Sequence, residues 1–190
     1  SIMAALEEQL LQAFERQPDI FQPSHFERFA GLYIDRLRHL KPMLVARGRA
    51  GLVRHCHGDL HCGNIVVIDG QPVLFDAIEF SERIATTDVL YDLAFLLMDL
   101  SRRDQLRGAN FILNRYFDLR RKEETLGAAA TLPLFLATRA GVRALVAADR
   151  SKELEGEPAS DARKEAVDYF HRAIGHLTPP APKAIAVGGL

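Results

Sequence analysis

Between His57 and Asp76 the chain reads HGDLHCGNIVVIDGQPVLFD. Two short runs of β-branched, aliphatic or aromatic residues, IVVI (65–68) and VLF (73–75), flank Asp69-Gly70-Gln71-Pro72. That is the pattern of an antiparallel hairpin. A turn at these four residues sets residue 64 opposite residue 75, 76 or 77, depending on loop length. Paired strands lie only about 5 Å apart. The hairpin therefore brings Asn64 and Asp76 to one place, although they are twelve positions apart in sequence.

Around this hairpin the pattern is helical, and no internal repeat is present. Residues 4–16 (AALEEQLLQAFER) read as a helix ending before Pro18. Pro23-Ser24 opens a stronger one, with Ser24 and Glu27 in capping-box spacing. Its apolar positions Phe26, Phe29, Tyr33, Leu37, Leu40 and Leu44 step by three and four, which makes one buried stripe. The run ARGRAG ends it. After the hairpin, TTDVLYDLAFLLMDL is apolar nearly all round and reads as a buried helix with Thr86 or Thr87 as N-cap. Further helices are expected at about 105–119, 131–149 and 160–176, the last begun by Ser160-Asp161. Six helices and one hairpin make an α+β fold that is mainly α-helical.

At 190 residues, 48% of them apolar and 26% charged, the chain has the make-up of a soluble domain with a real core. A net charge of −1 gives no electrostatic footprint for nucleic acid or an anionic membrane. Cys56 and Cys62 are too close in sequence for a disulfide to constrain much. No secretory leader pattern or long apolar span is evident. The expectation is a cytoplasmic protein with reduced thiols.

Residues 55–64, HCHGDLHCGN, admit three chemistries. A zinc cage would use His55, Cys56, His57, His61 and Cys62, but zinc ligands usually come as pairs from two separated segments, and no second cysteine pair exists. A nucleophilic hydrolase lacks a Gly-x-Ser-x-Gly elbow, and a Cys-His dyad does not follow from sequence proximity. The third reading fits the spacing. His57-x-Asp59-x-x-x-x-Asn64 is the arrangement of a kinase catalytic loop, in which a carboxylate orients the acceptor hydroxyl and takes its proton. Magnesium on the ATP phosphates needs an uncharged oxygen ligand and a second carboxylate. Asn64 supplies one and Asp76 the other. On this reading His55, Cys56, His61 and Cys62 are packing and loop-shaping residues.

Asp92 lies inside VLYDLAFLL, where a carboxylate must find partners. Either it anchors the loop, by accepting backbone N–H groups or a bond from His57, or it belongs to a narrow exposed stripe with Asp88 and Asp99. Arg139 and Arg143 share one face of an apolar helix. They bind an anionic acceptor or pair with acids such as Asp92 or Asp99, and pairing is the commoner fate of charge on a buried face.

HGDLHCGNIVVIDGQPVLFDAIEF followed by DVLYDLAFLLMDL resembles the C-terminal lobe of the aminoglycoside phosphotransferase family, within the protein-kinase-like superfamily. The motif block covers residues 55–100, and the flanking helices suit that lobe over residues 1–177. The resemblance implies Asp59 as catalytic base, Asn64 and Asp76 as magnesium and nucleotide ligands, and His57 and Asp92 as supports of the catalytic loop. It implies ATP and magnesium as cofactors and a small-molecule hydroxyl as acceptor. Ala77 stands where many members carry an aromatic after the aspartate, which leaves a role for Glu79 undefined. No phosphate-covering loop precedes the motif, and Lys41 is the only upstream lysine. The chain is therefore expected to be the large lobe without its N-terminal lobe, inactive alone. Residues 178–190, a proline-rich linker and the strand-like KAIAV, resemble the start of a further P-loop ATPase domain. The competing function is a non-catalytic, pseudokinase-like module regulating such an ATPase.

Overall fold

A computed structural model of the chain describes residues 2–120 and 122–178; the expected KAIAV strand lies outside them. Six long helices carry the structure: α1 (Ile2–Glu15), α2 (Pro23–Arg49), α4 (Val89–Arg102), α5 (Leu106–Asp118), α6 (Lys122–Glu153) and α7 (Gly156–Leu177). Between α2 and α4 lie β1 (Val53–His55), β2 (Ile65–Ile68), β3 (Gln71–Leu74), the single turn α3 (Glu82–Ala85) and β4 (Thr86–Asp88). The strands form two separate antiparallel pairs, β1 with β4 and β2 with β3.

The helical stripe of α2 faces inward, with Phe29, Tyr33, Leu37 and Leu40 buried. It meets Leu10 and Phe14 of α1, the alanine-rich face of α6, and Phe170 and Ile174 of α7 in one apolar core. Phe14, Phe21, Phe29 and Phe170 form an aromatic knot there, with ring centroids 4.7–5.5 Å apart. Tyr33 brings a hydroxyl into this apolar setting and settles it on Thr138 Oγ1 at 2.8 Å. A smaller cluster joins Leu90, Tyr91 and Ala94 of α4 to Phe135 of α6 and the inner side of α5. The stretch Ala128–Glu153 of α6 is long and apolar enough to cross a membrane, but half of its most apolar 18 residues are buried within the protein.

Several boundaries differ from expectation for identifiable reasons. The N-cap of α2 is Gln22, with Pro23 in the first turn and no side-chain cap bond, so Ser24 and Glu27 form no capping box. A proline suits that first turn because its missing N–H would have no helical partner anyway. Thr86 and Thr87 do not cap α4. They continue β4, opposite His55 and Arg54, and the cap is Asp88, which accepts the Leu90 N–H at 2.8 Å. Helix α6 begins at Lys122 rather than near 131 and runs through Pro133. Helix α7 begins at Gly156, ahead of Ser160.

The β2–β3 hairpin has the register that positions the site. Ile65 pairs with Leu74 and Ile68 with Gln71, leaving a two-residue turn, Asp69-Gly70. Both turn residues have positive φ, 51° and 75°. Such a turn matches the right-handed twist of the strands, which is why Asp-Gly suits it.

Candidate functional site

The loop from His57 to Asn64 leaves β1 and passes beside α4, and backbone amides decide its shape. Asp92, 7% exposed, accepts the N–H of His57 at 3.1 Å and of Gly58 at 2.9 Å. Two turns further along α4, Asp99 accepts the N–H of Cys62 at 3.0 Å. Residues seven apart lie on one helical face, so α4 presents two carboxylates to both ends of the same loop. Asp88, Asp92 and Asp99 are all buried, which overturns the exposed-stripe alternative for them. Asp88 takes a two-pronged bond from Arg47 at 2.6 and 2.7 Å and so ties the end of α2 to the start of α4.

Arg139 closes the arrangement from behind. Its guanidinium lies 3.5 Å from Asp92 Oδ1, donates to the Tyr91 carbonyl and stacks on the rings of Tyr91 and Phe95 at 4.0 and 4.8 Å. The pairing expected of Arg139 is thus with Asp92. Arg143 instead lies over the ring of Tyr169, 5.7 Å from its centroid.

Gly58 is required where it stands. Its φ of +83° is left-handed, and a Cβ there would come within 3.0–3.2 Å of the Ile78 side chain. That contact belongs to a clamp between the loop and the exit of the hairpin. The Ile78 N–H donates to the His57 carbonyl at 2.9 Å, and His57 Nε2 donates to the Phe75 carbonyl at 2.9 Å. A carbonyl only accepts, so the His57 proton sits on Nε2. His57 therefore fixes the residue on either side of Asp76 and Ala77 without touching Asp59.

Asp59 and Asn64 are directly joined. Asn64 Nδ2 donates to the Asp59 carbonyl at 3.0 Å and to its carboxylate Oδ2 at 3.2 Å. Both partners are acceptors, so the amide nitrogen must face them and Oδ1 is left as the oxygen turned to other ligands. Asp76 follows β3 at the same end of the hairpin, where the Phe75 N–H donates to the Asn64 carbonyl at 3.1 Å. Its φ of +59° lies in the left-handed region, a conformation that costs a non-glycine residue about 1–3 kcal/mol and is concentrated at functional sites. Its side chain and that of Glu79 are exposed. The oxygens at this end suited to a hard cation are Asn64 Oδ1 and the Asp76 carboxylate. Among the described residues no group of three or more His, Cys, Asp or Glu is arranged to hold a metal.

The cysteines take structural places. Burial, with Asp92 nearby, pushes the Cys56 thiol up to about 11, and burial with the Asp99 contact does the same for Cys62. Both are protonated near neutrality and sit as small half-buried groups. Three features of the site escaped the sequence reading: the β1–β4 pair that launches the loop, the grip of Asp99 on Cys62, and the setting of His61. Only the second left a signal, the seven-residue spacing of Asp92 and Asp99.

The model of the phosphotransferase enzyme family matches residues 3–126 of the chain. Uncharacterized proteins of Mycobacterium bovis and of two strains of Mycobacterium tuberculosis are each 29% identical to it over 168 residues, which is 84% of this chain and 32% of the relative. The chain thus spans about a third of the length of the curated relatives it matches. No solved structure gives a significant match.

Proposed function

The chain belongs to the phosphotransferase enzyme family, and from that premise we propose that it is the large lobe of a small-molecule kinase. The reaction moves the γ-phosphoryl group of ATP to a hydroxyl of a small acceptor. The observation that carries this reading is the bond between Asn64 and Asp59 at the open end of the hairpin, on a loop held by contacts to α4, with Asp76 one residue beyond the Phe75–Asn64 backbone bond.

Phosphoryl transfer asks little covalent chemistry of a protein and much positioning. Asp59 has a half-exposed carboxylate on a loop whose backbone is pinned by Asp92 and Asp99. In the reaction the acceptor oxygen bonds to the γ-phosphorus, the bond from phosphorus to the ADP oxygen breaks, and the hydroxyl proton passes to Asp59. Magnesium, when bound, offsets the phosphate charge. The residues that would hold it are Asn64, through Oδ1, and Asp76, since such an ion needs only one or two protein oxygens. His57 and Asp92 reach no reacting atom; their part is to hold the loop and the hairpin exit together.

The hairpin supports a second part of the proposal. Val66, Val67, Ile68, Val73, Leu74 and Phe75 are all exposed, and Phe80 just beyond is 84% exposed. Apolar surface on both faces of a short hairpin is that of an element with a covering partner. We assign that cover to a preceding lobe of the full-length protein together with the nucleotide. An acceptor-binding face, a cytoplasmic location and a following ATPase domain complete the reading, with residues 1–177 as the lobe itself.

The decisive measurement is transfer of the γ-phosphoryl group from MgATP to glycerol and other small hydroxyl compounds by the full-length protein. ATP hydrolysis by a following ATPase domain does not contribute to that readout. Asp59→Asn is expected to lower turnover by about 10² or more; unchanged turnover would reject Asp59 as the base. The 190-residue chain alone is expected to bind MgATP weakly and not to turn it over. Sub-micromolar affinity in a calorimetric titration would show that no preceding lobe is needed.

A further inference from the structure

His61, read from sequence as a loop-shaping residue, has a geometry that loop shaping does not require. Its Nδ1 accepts the Gly63 N–H at 3.0 Å, so the neutral ring carries its proton on Nε2. That Nε2 lies 3.4 Å from Asp59 Oδ2, the same carboxylate oxygen that Asn64 Nδ2 approaches to 3.2 Å. Two donors therefore converge on Oδ2, and Oδ1 has no partner among the described residues. The 3.4 Å separation is longer than a good N–H···O bond. Such contacts in ligand-free sites commonly tighten when the reacting groups assemble.

The ring is held in place from two sides. Its edge meets the buried ring of Phe95 on α4, with centroids 5.2 Å apart. On the other side, a Cβ on Gly63 would stand 2.8 and 2.9 Å from Cε1 and Nδ1 of the imidazole. Glycine at 63 is what lets the ring lie over the backbone. Since Nδ1 is occupied and Nε2 faces a carboxylate, neither nitrogen is left to bind a metal or to take a proton from the acceptor.

We propose that His61 is a positioning residue for Asp59: with Asn64 it fixes Oδ2, so that Oδ1 is the oxygen that receives the acceptor's proton. This rests on Asp59 being the base, and Gly63 then serves the site by making room for the imidazole. The proton balance of the transfer is unchanged, because His61 keeps its own proton throughout.

The test uses the full-length protein with MgATP and glycerol as a small hydroxyl acceptor, and reads the phosphate ester formed, so that ATP hydrolysis by a following domain is not counted. His61→Leu is expected to lower kcat about tenfold, the scale of residues that orient a functional group, with KM for ATP within about twofold. His61→Gln, whose amide can replace Nε2 as donor, should recover most of that loss. Gly63→Ala alone should mimic His61→Leu, yet add nothing in a His61→Ala background, where the ring it displaces is gone. Wild-type kcat in His61→Leu, or an equal Gly63→Ala loss in both backgrounds, overturns the proposal. If Asp59→Asn is also silent, the assignment of the base has failed as well; if Asp59→Asn is inactive and His61→Leu is not, only this inference has. Independently of turnover, ring nitrogen NMR of the 190-residue chain should show the Nε2-protonated tautomer, with the Nε2 resonance moving in Asp59→Asn. The Nδ1-protonated tautomer, or an unmoved resonance, overturns it equally.

Discussion

The two segments that meet at the candidate site are built on opposite principles. The loop from His57 to Asn64 is polar in sequence and yet is held by the interior, because Asp92 and Asp99 on α4 accept its amides from buried positions. The hairpin from Ile65 to Leu74 is apolar in sequence and yet lies in solvent on both faces. The loop needs nothing beyond this chain to keep its shape. The hairpin gains its reward only when something covers it. A phosphotransferase site assembled between two bodies would have this asymmetry: the base and its supports fixed in advance, the nucleotide floor completed by the partner.

The contrast breaks most readily at Asp92. Its carboxylate satisfies two amides and faces Arg139, so Asp92→Ala leaves one buried and one partly buried amide without an acceptor and a buried guanidinium without its carboxylate. Removing one member of a buried pair typically costs about 3–5 kcal/mol. Urea unfolding of the 190-residue chain should show a loss of that size. A loss below about 1 kcal/mol would mean that the loop is not held from the interior, and the comparison would fail at its firmer end.

How much of this could be read beforehand follows from what kind of force holds each piece. The hairpin was legible because IVVI, Asp-Gly and VLF carry local signals, and its register then placed Asn64 beside the residues around Asp76. Helices α2 and α4 were legible from periodicity and from a run apolar on all sides. Strands β1 and β4 were not, since Val-Arg-His and Thr-Thr-Asp are too short to show alternation and pair across more than thirty residues. The same holds for Arg47 with Asp88, a contact between residues 41 apart whose only sequence trace is two charges near apolar runs. His61 was hidden for another reason. Which nitrogen carries the proton depends on the Gly63 amide, and sequence does not show where that amide points.

Asp99 offers a milder test of the anchored segment, and one with a pH signature. Burial alone would raise its pKa, but the Cys62 amide and thiol and the Arg103 guanidinium outweigh burial and hold the carboxyl below its usual value. A group with a depressed folded-state pKa stabilises above its unfolded value and loses that contribution as pH falls through the folded one. Asp99→Asn should therefore be less stable than wild type at pH 7 by about 1–3 kcal/mol, the range for hydrogen bonds to a charged group. The gap should narrow as pH drops below the ordinary carboxylate range. A gap that stayed constant with acidification would show that charge on Asp99 contributes nothing to the grip on the loop.

The smallest effect is expected at the hairpin and sharpens the comparison from its other end. Val67 is 69% exposed, so Val67→Thr in the 190-residue chain should shift stability by no more than about 0.5 kcal/mol. In the full-length protein the same change would place a hydroxyl against whatever covers the strand. A buried hydroxyl without a partner costs about 1–3 kcal/mol, so the two measurements should differ by about 1 kcal/mol or more. Equal effects in both would mean that the hairpin stays open to water in the longer protein, and its apolar faces would then need another explanation than a covering lobe. A large effect in the short chain would be more damaging still, since it would show that the hairpin is already packed and that both segments are held by the same interior.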